Sequence, residues 1–300
     1  MIVVESPGLL TTVQDLGRPG YGALGISPSG AADPLALRIA NLLVGNAQDT
    51  PALEMTVVGG RYRFTEPAWI AITGARSPAT TWRAMSIERD GTVEIGAAEE
   101  GARIYLAVRG GLDVPRWLGS ASSHLMSGLG PPPLKRGDRV AFGQAPHPFH
   151  PREVRQEVIA RLSARKTLRI TYGPQIEQFG DRERAKLVQS EYRVAQQSDR
   201  LGIRLEGPPL SLASNAEMIT EGAPLGAIQV PANGQPIILF IEQQTTGGYP
   251  KIANVVSADL ASLGQLRPCD AVRFEWVSLA TARALLVEQE SLLRQEALFV

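Results

Sequence analysis

The chain has 300 residues, 44% of them hydrophobic, and its 30 basic and 30 acidic side chains cancel to a formal net charge of zero. This composition indicates one large or two medium globular domains, and without excess positive charge no binding to nucleic acid or to an anionic membrane is expected. One cysteine, Cys269, excludes an intrachain disulfide, and three histidines argue against a structural zinc site, so a cytoplasmic protein with small-molecule and protein partners is expected.

Short apolar runs predict the strands. They are rich in β-branched and aromatic residues and are bounded by Gly or Pro, which is typical of sandwiches and barrels. The predicted strands are 2–4, 61–64, 69–72, 104–108, 139–142, 168–172, 237–241 and 271–274. The sequence therefore predicts a mainly β protein with few helices.

Three segments predict helices by apolar spacing of three and four residues. Residues 33–44 begin with Asp33 as an N-cap followed by proline, and Gly45 follows the last apolar residue. Residues 152–165 and 278–298 show similar periodicity, and the second is a long amphipathic run that would pack on the body or on a partner.

The predicted domain boundary lies where prolines cluster before a charged helical pattern. We expect an N-terminal β domain over 1–145, a linker with a short helix over 146–166, and a C-terminal β domain with a terminal helix over 167–300. His147 and His150 lie between prolines in this linker, with no further metal ligands close in sequence. A solvated linker explains them.

Residues 20–25 match the pattern G-x-G-x-x-G, but the context argues against a dinucleotide fingerprint. Such a loop follows a strand and opens a helix, whereas Pro19 precedes this one and Pro28 interrupts any helix.

A polar stretch over residues 11–33 is the first candidate binding loop. Gln14, Asp15 and Arg18 cannot all be buried cheaply without partners, and the glycines among them let backbone N–H groups approach a ligand. The structural alternative is that Asp15 and Arg18 pair to fix a turn and that Asp33 only caps a helix.

A second candidate loop follows the strand at 237–241. Gln244, Thr245 and Thr246 offer uncharged donors and acceptors, and Lys251 suits a carboxylate or phosphoryl oxygen. Glycines permit unusual dihedrals here, and the alternative is a hairpin in which they only turn the chain. The candidate substrate-binding residues of this loop also include Gly247, Gly248 and Tyr249.

Upstream segments add Arg200, Glu221 and Gln229 beside further glycines. A site for anion recognition and proton transfer can be assembled from these groups. For each carboxylate taken singly, a surface salt bridge is an equally good explanation.

At these residues the sequence resembles the allophanate hydrolase subunit 2 family, which includes KipA, the C subunit of 5-oxoprolinase, and the carboxyltransferase region of urea carboxylases. The resemblance runs in order from about residue 2 to residue 280 and does not depend on one short motif. It is carried by Thr12-Val-Gln-Asp-Leu-Gly-Arg-Pro-Gly-Tyr21, Ser29-Gly-Ala-Ala-Asp33, Ala40-Asn-Leu-Leu-Val-Gly-Asn46, Leu53-Glu54, Gly173-Pro-Gln175, Ser198-Asp-Arg-Leu-Gly202 and Gln244-Thr-Thr-Gly-Gly-Tyr-Pro250.

This resemblance implies a pair of cyclophilin-like β-barrel domains and a partnership with a KipI-like subunit 1 protein and with a LamB/YcsF-like protein. In 5-oxoprolinase the assembly couples ATP hydrolysis to opening 5-oxoproline to glutamate, so ATP is expected to act at the level of the complex. The chain has no Met-Lys-Met biotinylation segment, so biotin is not expected on it.

Two places depart from the family pattern. Ser120-Ala-Ser-Ser-His124 and Gly130-Pro-Pro-Pro-Leu-Lys135 stand where an arginine is often available. Glu242-Gln243 stands where Asp-Arg is common, and Cys269 where glycine is common.

The leading hypothesis is an enzyme subunit that acts on a small amide, lactam or urea-like substrate. In this hypothesis Asp15 or Glu221 exchanges protons and Lys251 is catalytic. The residues that bind or orient the substrate are Gln14, Arg18, Ser29, Arg200, Gln229, Gln244, Thr245, Thr246, Gly247, Gly248 and Tyr249. The main alternative is a KipA-like regulator that binds a subunit 1 partner without catalysis, and prolyl isomerase activity rests on fold analogy alone.

Overall fold

A computed structural model describes residues 1–144, 149–213 and 218–300. Part of the predicted linker, including His147, lies outside the described residues. The chain forms two compact units: unit 1 comprises 1–18, 29–163 and 292–300, and unit 2 comprises 19–28 and 164–291. The chain thus passes between units four times, where the sequence predicted a single passage within 146–166.

Strands make up most of the regular structure. Those of unit 1 are β1 Ile2–Ser6, β2 Thr11–Gln14, β3 Ala52–Thr56, β4 Arg61–Phe64, β5 Ala68–Arg76, β6 Ala84–Ile87, β7 Thr92–Glu94, β8 Glu100–Val108, β9 Leu112–Asp113 and β10 Arg139–Phe142. Those of unit 2 are β11 Thr167–Tyr172, β12 Tyr192–Val194, β13 Gly202–Glu206, β14 Glu221–Gly222, β15 Ala227–Gln229, β16 Ile237–Leu239, β17 Thr246–Gly247, β18 Lys251–Val255 and β19 Ala271–Trp276.

The α-helices are fewer and mostly short. They are α1 Pro34–Leu43, α2 Gln156–Leu162, α3 Asp181–Gln189, α4 Leu260–Gly264, α5 Leu279–Leu292 and α6 Gln295–Leu298. Among the described residues, none is long and apolar enough to cross a membrane. The mainly β fold predicted from the sequence is confirmed.

Unit 1 contains two five-stranded sheets, ordered β7-β4-β1-β10-β9 and β2-β3-β8-β5-β6. Alternation along the strands points apolar side chains inward from both sheets, and Ile2, Tyr62, Leu53 and Leu106 belong to one buried core. Helix α1 packs on β5 and β8. It begins where predicted, because Asp33 Oδ1 accepts the Ala36 N–H at 3.0 Å.

Unit 2 contains a closed barrel in the order β11-β18-β15-β16-β13-β12-β19. Strand β19 closes it by pairing parallel to β11, and the other neighbours are antiparallel. A separate two-stranded ribbon joins β14 to β17. Closure leaves the barrel without exposed strand edges. The ribbon carries Glu221 and Gly247.

All eight predicted strands are present, but eleven others in the described part of the chain were not predicted, most of them because they are only two to four residues long. Strands β2 and β17 lie inside the two stretches that the sequence predicted as loops, and β18 begins at the end of the second. The predicted C-terminal helix is interrupted between α5 and α6.

Candidate functional site

In unit 1 the carboxylate of Asp15 is buried and binds the segment 120–122. Its Oδ1 accepts the hydroxyls of Ser120 and Ser122, each at 2.6 Å, and the Gly17 N–H at 2.8 Å. Its Oδ2 accepts the Ala121 N–H at 2.7 Å. The segment that departs from the family pattern therefore supplies the donors that hold this charge.

Arg116 adds a positive charge at the same carboxylate. Its Nη1 lies 3.5 Å from Asp15 Oδ2, and its side chain is 47% exposed. The region in which the sequence lacks the expected arginine thus still places a guanidinium beside Asp15. Because so many donors surround Asp15, they give it a structural role, and its proton exchange with a substrate stays a prediction.

The other candidates of the first polar stretch are also buried. Arg18 is 1% exposed and donates to the backbone oxygens of Trp117 and Ser122. Gln14 Nε2 donates to Ser123 O at 3.1 Å, and Ser29 Oγ donates to the same oxygen at 3.3 Å. These side chains connect the first polar stretch to the segment 120–123 by hydrogen bonds. Their contacts with a substrate stay predictions.

A buried carboxylate that sequence reasoning missed lies on β3. Glu54 Oε2 accepts the Tyr105 hydroxyl at 2.6 Å and the Ala32 N–H at 2.8 Å, and its Oε1 lies 3.7 Å from Arg103 Nε. Burial, and then the charges of Glu54 and Asp33, raise the pKa of Tyr105 well above its ordinary value. In the sequence Glu54 appears as a charge in an otherwise apolar run and within the family motif Leu53-Glu54, and neither feature indicated that the cluster fixes the start of α1.

In unit 2 a buried lysine meets an exposed carboxylate. Lys251, on β18, is 1% exposed, and its Nζ lies 2.6 Å from Glu221 Oε1, whose side chain is 44% exposed. A lysine is almost never fully buried without such a partner. The sequence predicted Lys251 as a mobile charge at the end of a binding loop, and the structure places it, buried, in the barrel wall.

Gln175 holds both members of this pair. Its Nε2 donates to Glu221 Oε1 at 2.7 Å, and its Oε1 accepts the Lys251 N–H at 3.1 Å. Its own N–H donates to Lys251 O at 3.2 Å. Hydrogen bonds from Lys251 and Gln175 lower the pKa of Glu221, so this carboxylate is ionised at neutral pH. In the sequence Gln175 stands out only as part of the motif Gly173-Pro-Gln175, which gives no sign of its contacts with Glu221 and Lys251.

Gln229 lies beside Lys251 in the barrel. In the register of β15 it is opposite Lys251 on β18 and Ile237 on β16. Directly opposed residues present their side chains to the same face of a sheet. Gln229 is 2% exposed, and its Nε2 has no hydrogen-bond partner among the described residues. A buried donor left unpaired lowers the stability of the fold by about 1–3 kcal/mol. Such an unpaired group is uncommon in a native protein and is expected where a ligand binds.

A cavity of about 510 Å³ in unit 2 gathers three of the predicted substrate-binding residues. Gln229, Gln244 and Tyr249 all lie on its wall. Apolar side chains such as Ile237 and Leu239 line it together with polar groups. A mostly pre-formed hollow with a few convergent polar groups is the usual form of a small-molecule site.

Gly247 allows two glutamines to come together beside this cavity. A Cβ on Gly247 would lie 2.7 Å from Gln229 Nε2 and 3.1 Å from Gln244 Nε2. Any other residue would push at least one amide aside. Gly247 also pairs with Glu221 in the ribbon of β14 and β17, so this glycine does more than turn a hairpin.

The remaining candidates of unit 2 are placed differently. Arg200 Nε lies 2.5 Å from Glu242 Oε1, and the side chains are 10% and 2% exposed. This buried pair neutralises the charge that was expected to hold an anion. Among the described residues, the cavity wall does not include Thr245, Thr246 or Gly248. Asp15 and Lys251 belong to different units, and the convergence of the two polar stretches on one cleft stays a prediction.

Comparison with known proteins gives the family. The family described as "Carboxyltransferase domain, subdomain A and B" matches residues 24–276. The chain is 36% identical over 308 aligned positions to the C subunit of 5-oxoprolinase from Escherichia coli (strain K12), covering 99% of this chain and 98% of that protein.

Two further relatives are larger proteins. Urea amidolyase of Lachancea kluyveri is 32% identical, over 96% of this chain and 17% of its own length. The crystal structure of the Kluyveromyces lactis urea carboxylase superposes with a TM-score of 0.89 at 30% identity, over 97% of this chain and 29% of that one. With its mainly β fold and these matches along nearly its whole length, the chain belongs to the carboxyltransferase domain family.

Proposed function

We propose that the chain is part of an ATP-dependent 5-oxoprolinase that opens the lactam of 5-oxoproline to glutamate. The observation that carries this proposal is the end-to-end similarity to the C subunit of 5-oxoprolinase, with 98% of that protein covered. Similarity to urea amidolyase spans 17% of that protein, so it supports the shared domain and not the whole activity.

The polar groups of unit 2 suit this chemistry. Opening the lactam breaks the C–N bond: water adds to the carbonyl carbon, the nitrogen takes a proton, and ATP hydrolysis in the complex drives the step. Lys251 Nζ, held by Glu221 at 2.6 Å, is suited to stabilise the negative charge that develops on the carbonyl oxygen. The ionised Glu221 fixes the lysine. Its partial exposure lets a substrate or water reach it, while its lowered pKa makes it a weak base, so its main role in this proposal is to hold Lys251.

The proposed complex contains other subunits, because the 5-oxoprolinase relative is by name one of several. From the family resemblance we propose a KipI-like subunit 1 protein and a LamB/YcsF-like protein as those partners. The test is reconstitution of the complex with and without this chain, followed by measurement of ADP and glutamate. We expect ATP hydrolysis that depends on 5-oxoproline and on every protein of the complex. Turnover at the full rate without this chain would contradict the proposal.

Regulation without catalysis is the second candidate. Helix α5 exposes Leu279 and Val287, at 76% and 62%, and such apolar side chains suit contact with a partner protein. The same reconstitution separates the two functions. Stoichiometric binding to subunit 1 that inhibits ATP hydrolysis, with no glutamate formed, would favour the regulator over the enzyme component.

A further inference from the structure

The side-chain amide of Gln229 holds a buried hydrogen-bond donor that has no partner in the described part of the chain. The residue is 2% exposed, and its Nε2 has no partner among the described residues. Several other buried side-chain atoms in the described part of the chain also lack a partner, but of their residues only Gln229 lines the 510 Å³ cavity. A primary amide carries a donor nitrogen and an acceptor oxygen side by side.

The cover over this amide is small. Gly247 has no side chain there, and Gln244, which approaches the same glycine, is exposed and lines the same cavity. Because Gln244 is exposed, its side chain is free to move aside when a ligand enters the cavity. The barrel backbone around Gln229 is fixed by its pairing with β16 and β18. The donor and acceptor are therefore held ready at a site that a small ligand can enter.

We propose that Gln229 recognises the lactam group itself, through two hydrogen bonds to one edge of the ring. In a lactam the C=O and N–H lie cis, on the same side, so Nε2 donates to the carbonyl oxygen while Oε1 accepts the ring N–H. A trans amide presents these groups on opposite sides and cannot form both bonds. Turning the Gln229 amide by half a turn exchanges the positions of its donor and its acceptor. One donor and one acceptor still face the ligand, so the amide still matches a group that offers one of each. This inference rests on the proposed function and assigns the substrate class to the cavity.

The test compares two ligands and three proteins by isothermal titration of the full chain. The ligands are 5-oxoproline and its lactone analogue, in which a ring oxygen replaces the ring N–H. The variant is Gln229→Met, which keeps the length of the side chain but removes the amide. Gln189→Met, at the exposed end of α3, is the control.

We expect the wild type to bind 5-oxoproline at least tenfold more tightly than the lactone, which corresponds to about 1.4 kcal/mol. Gln229→Met should bind both ligands weakly and equally, and Gln189→Met should behave like the wild type. The melting temperature of Gln229→Met should be unchanged or higher, since no protein hydrogen bond is lost. A structural role for Gln229 would instead lower it.

Three outcomes would overturn the inference: no binding of 5-oxoproline by the chain, a ligand preference that survives in Gln229→Met, or binding of urea without binding of 5-oxoproline. Measuring 5-oxoproline hydrolysis by the reconstituted complex separates failure of the Gln229 inference from failure of the proposed function. If 5-oxoproline is still hydrolysed only when the chain is present, the function stands and only the role of Gln229 falls.

Discussion

Lys251 Nζ lies 2.6 Å from Glu221 Oε1, although the lysine is 1% exposed and the glutamate side chain is 44% exposed. The pair thus connects the interior of the barrel to its surface. Because β14 carries Glu221 and pairs with β17, the same ribbon positions both the ion pair and Gly247.

The ionisation of Glu221 is the first prediction. Hydrogen bonds from Lys251 and Gln175 lower its pKa in the folded state, so the pair stabilises the fold at neutral pH. That contribution is complete above the unfolded pKa and is lost as the pH falls through the lower, folded value. Carbon NMR titration of the carboxyl group should give a pKa below the ordinary value for glutamate.

In Lys251→Met the same titration should return the Glu221 pKa towards its ordinary value, because the first cause of the shift is removed. An unshifted pKa in the wild type, or an identical pKa in the variant, would contradict the assigned ion pair.

Gly247→Ala is expected to weaken substrate binding. Its Cβ would lie 2.7 Å from Gln229 Nε2, so the amide must move. The backbone of Gly247 is outside the left-handed region, so the effect comes from space and not from backbone strain. We expect KM for 5-oxoproline to rise about tenfold in the reconstituted complex, a typical loss for a displaced hydrogen bond.

Gly222→Ala is the matched control on the facing strand, since nothing lies within 4 Å of its added Cβ. Its KM should equal that of the wild type. Equal values for both alanine variants and the wild type would show that Gly247 does not position the amide.

Asp15→Asn tests the structural role of the buried carboxylate in unit 1. Asparagine keeps the shape but loses the charge and one acceptor oxygen, while the donors of Ser120, Ser122 and Ala121 remain. We expect a local loss of about 2–4 kcal/mol. Amide hydrogen exchange at Ala121 should therefore be at least tenfold faster.

Asp113→Asn, at an exposed position of β9, should leave this exchange rate unchanged. Exchange at Ala121 that is as slow in Asp15→Asn as in the wild type would remove the structural role.

Local signals in the sequence predicted a good part of this fold. Asp33 followed by Pro34 marked the start of α1, because both the cap and the proline act within one turn. Helix α3 was missed, because only Leu187 is buried among its mostly charged residues, so it carries no apolar periodicity. Cys269, noted where glycine is common, has φ of 71°, the left-handed region that favours glycine.

The candidate site was predicted in composition but not in arrangement. Gln229, Gln244 and Tyr249 do line one cavity. The burial of Arg18 depends on oxygens of Trp117 and Ser122, about a hundred positions away in sequence, and that pairing leaves no local pattern. Likewise, nothing near Lys251 in sequence indicates its bonds to Gln175 and Glu221.

The role of Lys251 in turnover is tested by the rate of glutamate formation from 5-oxoproline in a reconstituted complex that carries Lys251→Met. The variant removes the positive charge proposed to stabilise the carbonyl oxygen, and kcat should fall at least a hundredfold while the complex still assembles. Lys166→Met, which removes an exposed lysine paired with Asp270, should turn over like the wild type. A wild-type rate for Lys251→Met would contradict the proposed chemistry of the barrel site.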